Sequence, residues 1–240
     1  IDFSKKILRK SNHENYKNET SFNKKTLKLQ KELYQNRIHL KILKAHKKII
    51  LQILNLKSID DLCVSSFFHL RAVKKTNKKL NSFVGIHRET FYSDFDYTKH
   101  QINISVPLLN YTKKNSMKVI NKSHKIDDIK ILTKKISSKQ SGIQKFSLKH
   151  KLGFPYNPKQ IIGGIDLDKA KRLNLEVGNF VLFSAMLLHG NGSNFKKEIR
   201  YSIDFALIKK KHLMRKRIKK HHASYSKSKK YWIKIPDTIN

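Results

Sequence analysis

After Val64 the chain breaks into short runs of β-branched and aromatic residues separated by polar turns, and this pattern restricts the folds open to it. The runs are Phe68 to Val73, Ile102 to Leu108, Ser116 to Ile120, Asn179 to Ala185 and Arg200 to Ile208. Long, irregular connections between them predict an antiparallel sandwich or barrel, not alternating βαβ units. Neither common kind of Gly-rich phosphate loop occurs, which argues against a dinucleotide fold and a P-loop. Asp166 to Leu173 reads as a short helix ahead of the last strands, and no internal repeat is present.

Upstream of Val64 the period changes. Leu29, Leu33, Ile38, Ile42, Ile49 and Ile53 recur mostly at four- and seven-residue steps, as on one long amphipathic helix or two consecutive ones. Ser58, followed by Asp60 and Asp61, is a helix start: a hydroxyl cap and acidic first turn answer the unpaired amides and the dipole. The expected organisation is a helical region at 1–64 packing on the core, a β-rich core at 65–208 and a basic C-terminal tail at 209–240. The tail carries the runs Lys209 to Lys211, Arg215 to Lys220 and Lys227 to Lys230.

A net charge of +36, from 53 Lys and Arg against 17 Asp and Glu, would ordinarily put nucleic acid first among partners. Here the lysines run from end to end instead of gathering beside stacking aromatics. They accompany abundant Asn and Ile, a combination that AT-rich coding favours at solvent-facing positions. A non-catalytic basic β-protein that binds nucleic acid through this surface is therefore the alternative, not the first reading. Cys63 is the single cysteine, which excludes an internal disulfide and fits a reducing cytoplasm. Ile49 to Leu56 is interrupted by Gln52 and Asn55 and falls far short of the roughly 20 residues that span a bilayer. The chain begins at Ile1, and its polar stretch to Lys24 has no apolar signal core, so no secretory peptide is expected.

The chemistry concentrates in two places. In Gly85-Ile86-His87-Arg88-Glu89-Thr90-Phe91 a histidine and a carboxylate stand two apart, a spacing that on an extended strand turns both side chains to one face. Far along the chain, Leu187-Leu188-His189-Gly190-Asn191-Gly192 follows an apolar strand. Two imidazoles and one carboxylate form the facial triad used for non-haem Fe(II), with the opposite side open to co-substrate and oxygen. His87, Glu89 and His189 are the candidate metal ligands. Arg200 and Ser202 follow on the next strand, where a planar guanidinium fork and a hydroxyl suit a carboxylate. A surface ion pair, with Glu198 as partner, is the other reading of Arg200.

Glu176-Val177-Gly178-Asn179-Phe180-Val181-Leu182-Phe183, His189-Gly190-Asn191-Gly192-Ser193-Asn194 and Arg200-Tyr201-Ser202-Ile203-Asp204-Phe205 together resemble the C-terminal signature of the phytanoyl-CoA dioxygenase superfamily. The flavour is similar to the branch found in streptomycin-type biosynthetic clusters. Ile102 to Leu108 and the segment from Asn115 through Ser123-His124-Lys125 resemble the family's central strand and the turn that follows it, so the likeness runs from Phe68 to Leu207. It implies a double-stranded β-helix, or jelly roll, with flanking helices. It implies Fe(II) on His87, Glu89 and His189, and 2-oxoglutarate on Arg200 and Ser202. The implied activity consumes 2-oxoglutarate and O2 and hydroxylates a small, polar metabolite of sugar-derived or secondary-metabolite type. Glu89 departs from the family's usual Asp, and Asn179 stands where Asp is common.

Other residues carry blander expectations. His124 is structural or lies near the cavity mouth; His221 and His222 are solvated. Tyr92 and Asp94 face substrate or pack in a turn. Arg88, alternating with its neighbours on a strand, points outward to a salt bridge. Arg71 meets an anionic substrate or lies on the surface, and Phe183, Ile104 and Val106 supply a dry wall to the site.

Overall fold

The computed structural model describes residues 2–10, 16–75, 85–91, 96–135, 159–213 and 231–236. Tyr92, Asp94, His221, His222 and the basic runs after residue 213 lie outside them. Among the described residues no helix is long and apolar enough to cross a membrane.

Four helices open the chain: α1 (Asp2–Lys10), α2 (Glu19–Gln35), α3 (Ile38–Ala45) and α4 (Lys47–Leu54). Asn18 starts α2 by accepting the Ser21 amide at 2.9 Å, while the Ser21 hydroxyl accepts the Asn18 amide, a reciprocal cap. Arg37, at φ 50°, separates α2 from α3. As expected, Leu29, Leu33, Ile38 and Ile42 are buried, but Ile49 and Ile53 are 47% and 57% exposed and Ile50 takes the inward position. The backbone breaks at Arg37 and His46 reset the helical phase, so a count carried across them assigns α4 the wrong face. Ser58 does cap the turn Ile59–Asp61, accepting the Asp60 amide at 3.1 Å.

The rest is mostly antiparallel sheet. The main sheet holds β1 (Leu62–Ser65), β2 (His69–Val73), β3 (Ile102–Leu109), β8 (Val181–Ser184), β10 (Arg200–Lys209) and β11 (Trp232–Lys234). Strand β10 is its spine, pairing with β3 along one edge and with β2 and then β1 along the other. A smaller sheet joins β4 (Lys118–Val119), β7 (Lys171–Arg172) and β9 (His189–Gly190), and β5 (Leu132–Lys135) pairs with β6 (Lys159–Gly163). The helix expected at Asp166 to Leu173 is a single 3-10 turn, Leu167–Lys169, begun by the Asp166 carboxylate on the Asp168 amide. Beyond Ala170, Lys171 and Arg172 are drawn into β7 by pairing with β4. A short helix, α5 (Lys210–Leu213), follows β10.

The main sheet has two unlike faces. Ile104, Val106, Leu108, Ile203, Phe205 and Leu207 share one apolar core with Leu29, Leu33 and Leu43 of the helices. Strand alternation turns Asn103, Ser105, Ser202 and Asp204 to the opposite face, where the first three are buried. Ile104 and Val106 therefore support the sheet from the helical side and do not wall the site.

His39 of α3 is buried in this core, its ring 5.3 Å from that of Phe68 and 5.9 Å from that of Phe205. Neither ring nitrogen has a hydrogen-bond partner among the described residues, and burial pushes its pKa from 6.5 down to about 4. As pH falls through that interval the unfolded chain takes up a proton that the folded chain refuses. Stability is therefore complete above 6.5 and declines by up to about 1.4 kcal/mol per pH unit toward 4. Urea denaturation of His39→Phe at several pH values should show a shallower acid decline than the parent chain; parallel curves would refute this role.

Candidate metal centre

His87 and His189 face each other as an isolated antiparallel bridge, each donating its amide to the other's carbonyl at 2.9 Å. Two residues that exchange both bonds project their side chains to the same side. The rings accordingly lie 4.4 Å apart between centroids. Gly190 permits this approach, since a Cβ there would come within 3.1 Å of the Gly85 carbonyl oxygen.

Each imidazole is then aimed by its own backbone. His87 Nδ1 lies 2.9 Å from the Gly85 carbonyl oxygen and His189 Nδ1 lies 2.8 Å from that of Leu187. A carbonyl can only accept, so both Nδ1 atoms carry a proton, and Nε2 is the nitrogen each ring turns toward the shared point. Burial, reinforced by the neighbouring His189 and opposed by Glu89, pushes the His87 pKa down to about 3 and keeps that ring neutral.

Glu89 does not sit on a strand, as its spacing from His87 suggested. It opens the 3-10 turn Glu89–Phe91, with its amide held by the Ala185 carbonyl at 3.0 Å. The turn still delivers the carboxylate: Oε1 lies 3.9 Å from His87 Nε2 and 3.6 Å from His189 Nε2. Asn103 of β3 donates to the same oxygen at 3.4 Å and is itself fixed by Gln101 at 2.7 Å. Nothing in the sequence singled out Asn103, which reads as one polar position within a strand.

The ligand atoms of the three residues all lie within 4.8 Å of one another, and they form the one such group among the described residues. Two donors on a single ion at about 2.1 Å each lie at most about 4.2 Å apart, a condition that both imidazole–carboxylate pairs meet. Lone pairs converging on one point repel unless a cation lies among them, so the donor set fits a metal ion. Phe183 packs edge-on against His189 at 4.7 Å and supplies the apolar wall on that side. His124 is exposed and outside the trio.

Arg88 does not point outward. It is 0% exposed and donates to the Ser123 carbonyl, the Ile126 carbonyl and Asp128. The turn at Glu89 ends the strand alternation on which the outward expectation depended, and the segment 123–128 covers that side.

Arg200 is likewise 0% exposed, which removes the surface-pair reading. Its guanidinium donates to the Asn115 and Gly192 carbonyls and, at 3.2 Å, to Asn191 Oδ1, and lies over the Tyr111 ring at 5.1 Å. Its Nε has no acceptor among the described residues, and burial pulls its pKa below the usual value despite Tyr111 and Asp204. Ser202 is buried beside Pro107 and Arg71 in the strand register. Arg71 pairs with Asp204 at 2.7 Å, half-exposed, and its charge reaches His87.

No family model matches the chain, and no curated protein matches it. Solved structures do resemble it. A non-heme monooxygenase, ThoJ in its apo form, is 16% identical over 62% of this chain and 47% of its own, with a TM-score of 0.42. EvdO2 from Micromonospora carbonacea var. aurantiaca, complexed with 2-oxoglutarate, is 12% identical over 72% and 64%, at 0.48. The epimerase SnoN, in complex with Fe3+, alpha ketoglutarate and nogalamycin RO, is 15% identical over 61% and 50%, at 0.36. This chain thus spans about half the length of ThoJ and SnoN and less than two thirds of EvdO2.

Gly192 lies where the loop after His189 meets β4 and β7: a Cβ there would overlap the Ser116 carbonyl oxygen and the Arg172 guanidinium. Gly192→Ala should cost about 1–3 kcal/mol, as overpacking does, because a backbone oxygen cannot step aside. Thermal unfolding checks this, and an unchanged midpoint would contradict the packing described.

Proposed function

We propose that this chain is a mononuclear Fe(II), 2-oxoglutarate-dependent dioxygenase that hydroxylates a small, polar metabolite. The observation that carries the reading is the convergence of two imidazole Nε2 atoms and one carboxylate on a single point. Two imidazoles and a carboxylate on one side of a metal are the donor set of non-haem Fe(II) oxygenases. The two sheets fit a double-stranded β-helix with the site between them: Asn103 and Phe183 come from the larger sheet, His189 from the smaller.

In this reading His87, Glu89 and His189 hold the ion, and Arg200 with Ser202 holds the distal carboxylate of the co-substrate. A buried guanidinium with an unanswered Nε, and with no carboxylate in ion-pair contact among the described residues, suits a dicarboxylate ligand. Ferrous ion with 2-oxoglutarate and O2 supplies oxidative decarboxylation coupled to hydroxylation of a carbon. The protein's share is to keep both imidazoles aimed, to hold the His87 ring neutral, to fix the carboxylate through Asn103, and to exclude water with Phe183.

Fe(II)-dependent conversion of 2-oxoglutarate to succinate is the direct assay. His87→Ala and His189→Ala should lower metal affinity more than about 100-fold and abolish succinate formation, with the circular dichroism spectrum retained. Arg200→Met should raise the KM for 2-oxoglutarate and leave metal affinity in place. Succinate formation surviving in either histidine variant would overturn the assignment.

A further inference from the structure

We infer that Arg88 and the segment from Ser123 to Asp128 form a buckle that holds the two ligand-bearing segments in register; Arg88 is a positioning residue for the metal centre. The inference rests on the metal-binding reading of His87, Glu89 and His189. The segment around His87 and Glu89 meets the segment around His189 directly through the reciprocal His87–His189 bonds and through the Glu89 amide on Ala185. A third segment ties both from the far side.

On the His189 side, both backbone groups of Leu188 are taken by that third segment. Its carbonyl accepts the Ile120 amide at 2.9 Å, and its amide donates to the Ser123 hydroxyl at 2.8 Å. On the His87 side, Arg88 stands between the two ligands and delivers its guanidinium to the Ser123 carbonyl, the Ile126 carbonyl at 2.8 Å and Asp128. Ser123 thus serves both sides at once, its carbonyl to Arg88 and its hydroxyl to Leu188. Lys122, at φ 60°, makes the left-handed step that sets the turn Ser123–Lys125 in place.

Filling space does not account for the arginine. A guanidinium with no exposed surface is costly to bury, its Nε has no acceptor among the described residues, and an aliphatic side chain would fill the volume with less penalty. What only arginine provides is a planar fork reaching several acceptors at fixed angles. Here those acceptors belong to one short segment, 123–128, and through Ser123 that segment grips the residue preceding His189. Loosening either end lets the imidazoles and the carboxylate drift from their common point, with a loss of metal affinity of the size that outer-shell changes produce.

Co(II) binding to the full chain is the test, followed by calorimetry and by the visible absorption of the bound ion well below the unfolding temperature. Arg88→Lys, Arg88→Met and Ser123→Ala should each weaken Co(II) about 10- to 100-fold and alter the spectrum. The Arg88→Lys/Ser123→Ala double variant should lose less than the product of the single losses, because both act through one segment. Should Arg88→Met fail to fold, Ser123→Ala, which removes a single hydroxyl, decides the matter. Lowered melting temperatures with unchanged Co(II) affinity and spectrum would overturn the buckle while leaving the metal centre intact. Failure of the unsubstituted chain to bind Co(II) would overturn the metal centre itself and the buckle with it.

Discussion

The reciprocal pair of backbone hydrogen bonds between His87 and His189 is the constraint on which the site depends. It brings together residues from two distant parts of the sequence and commits both side chains to one side. Each ring is then turned by the carbonyl two residues before it, Gly85 or Leu187, so both Nε2 atoms face inward. With Glu89 arriving from its turn, the site concentrates electron pairs in a partly desolvated space. Such an arrangement is unfavourable for an empty protein and favourable around a cation.

The two-faced main sheet is what makes that space possible. One face of β3 and β10 is apolar and covered by the helices, which fixes the strands without any help from the site. The other face can then hold polar groups, provided they satisfy one another. Gln101 donates to Asn103 and Asn103 to Glu89; Ser105 and Arg71 both donate to Asp204. Each bond offsets the desolvation of its partners, so the polar layer costs less than its residue types suggest.

What was legible in the sequence follows from this division. The β-branched runs at Phe68 to Val73, Ile102 to Leu108 and Arg200 to Ile208 announced their strands because one side of each packs in the core. The histidines and Glu89 were legible as residue types and spacing. Other features depend on tertiary pairing that no local pattern records. Leu132–Lys135 carries lysines on the outside of a two-stranded sheet and gives no strand signal. Alternation placed Arg88 outward because it presumed a strand where the backbone turns, and it gave Ile104 and Val106 no side at all until the helices were known to cover one. The family resemblance added the order of the motifs, but the aim of each side chain comes from hydrogen bonds to carbonyls, which any residue could supply.

Arg88 and Arg200 show how one chemistry divides into two uses. Both are completely buried, both leave Nε without an acceptor among the described residues, and both spend terminal nitrogens on backbone carbonyls of loops around the candidate site. They differ in charge compensation. Arg88 has Asp128 in ion-pair contact, so its charge is answered within the fold and its bonds serve to tie segments together. Arg200 has no carboxylate in such contact among the described residues, and it lies over the face of Tyr111. A cation kept in low dielectric without a protein counterion gains most when an anion arrives. It is this deficit, more than Arg200's place in the sequence, that fits it to the proposed dicarboxylate.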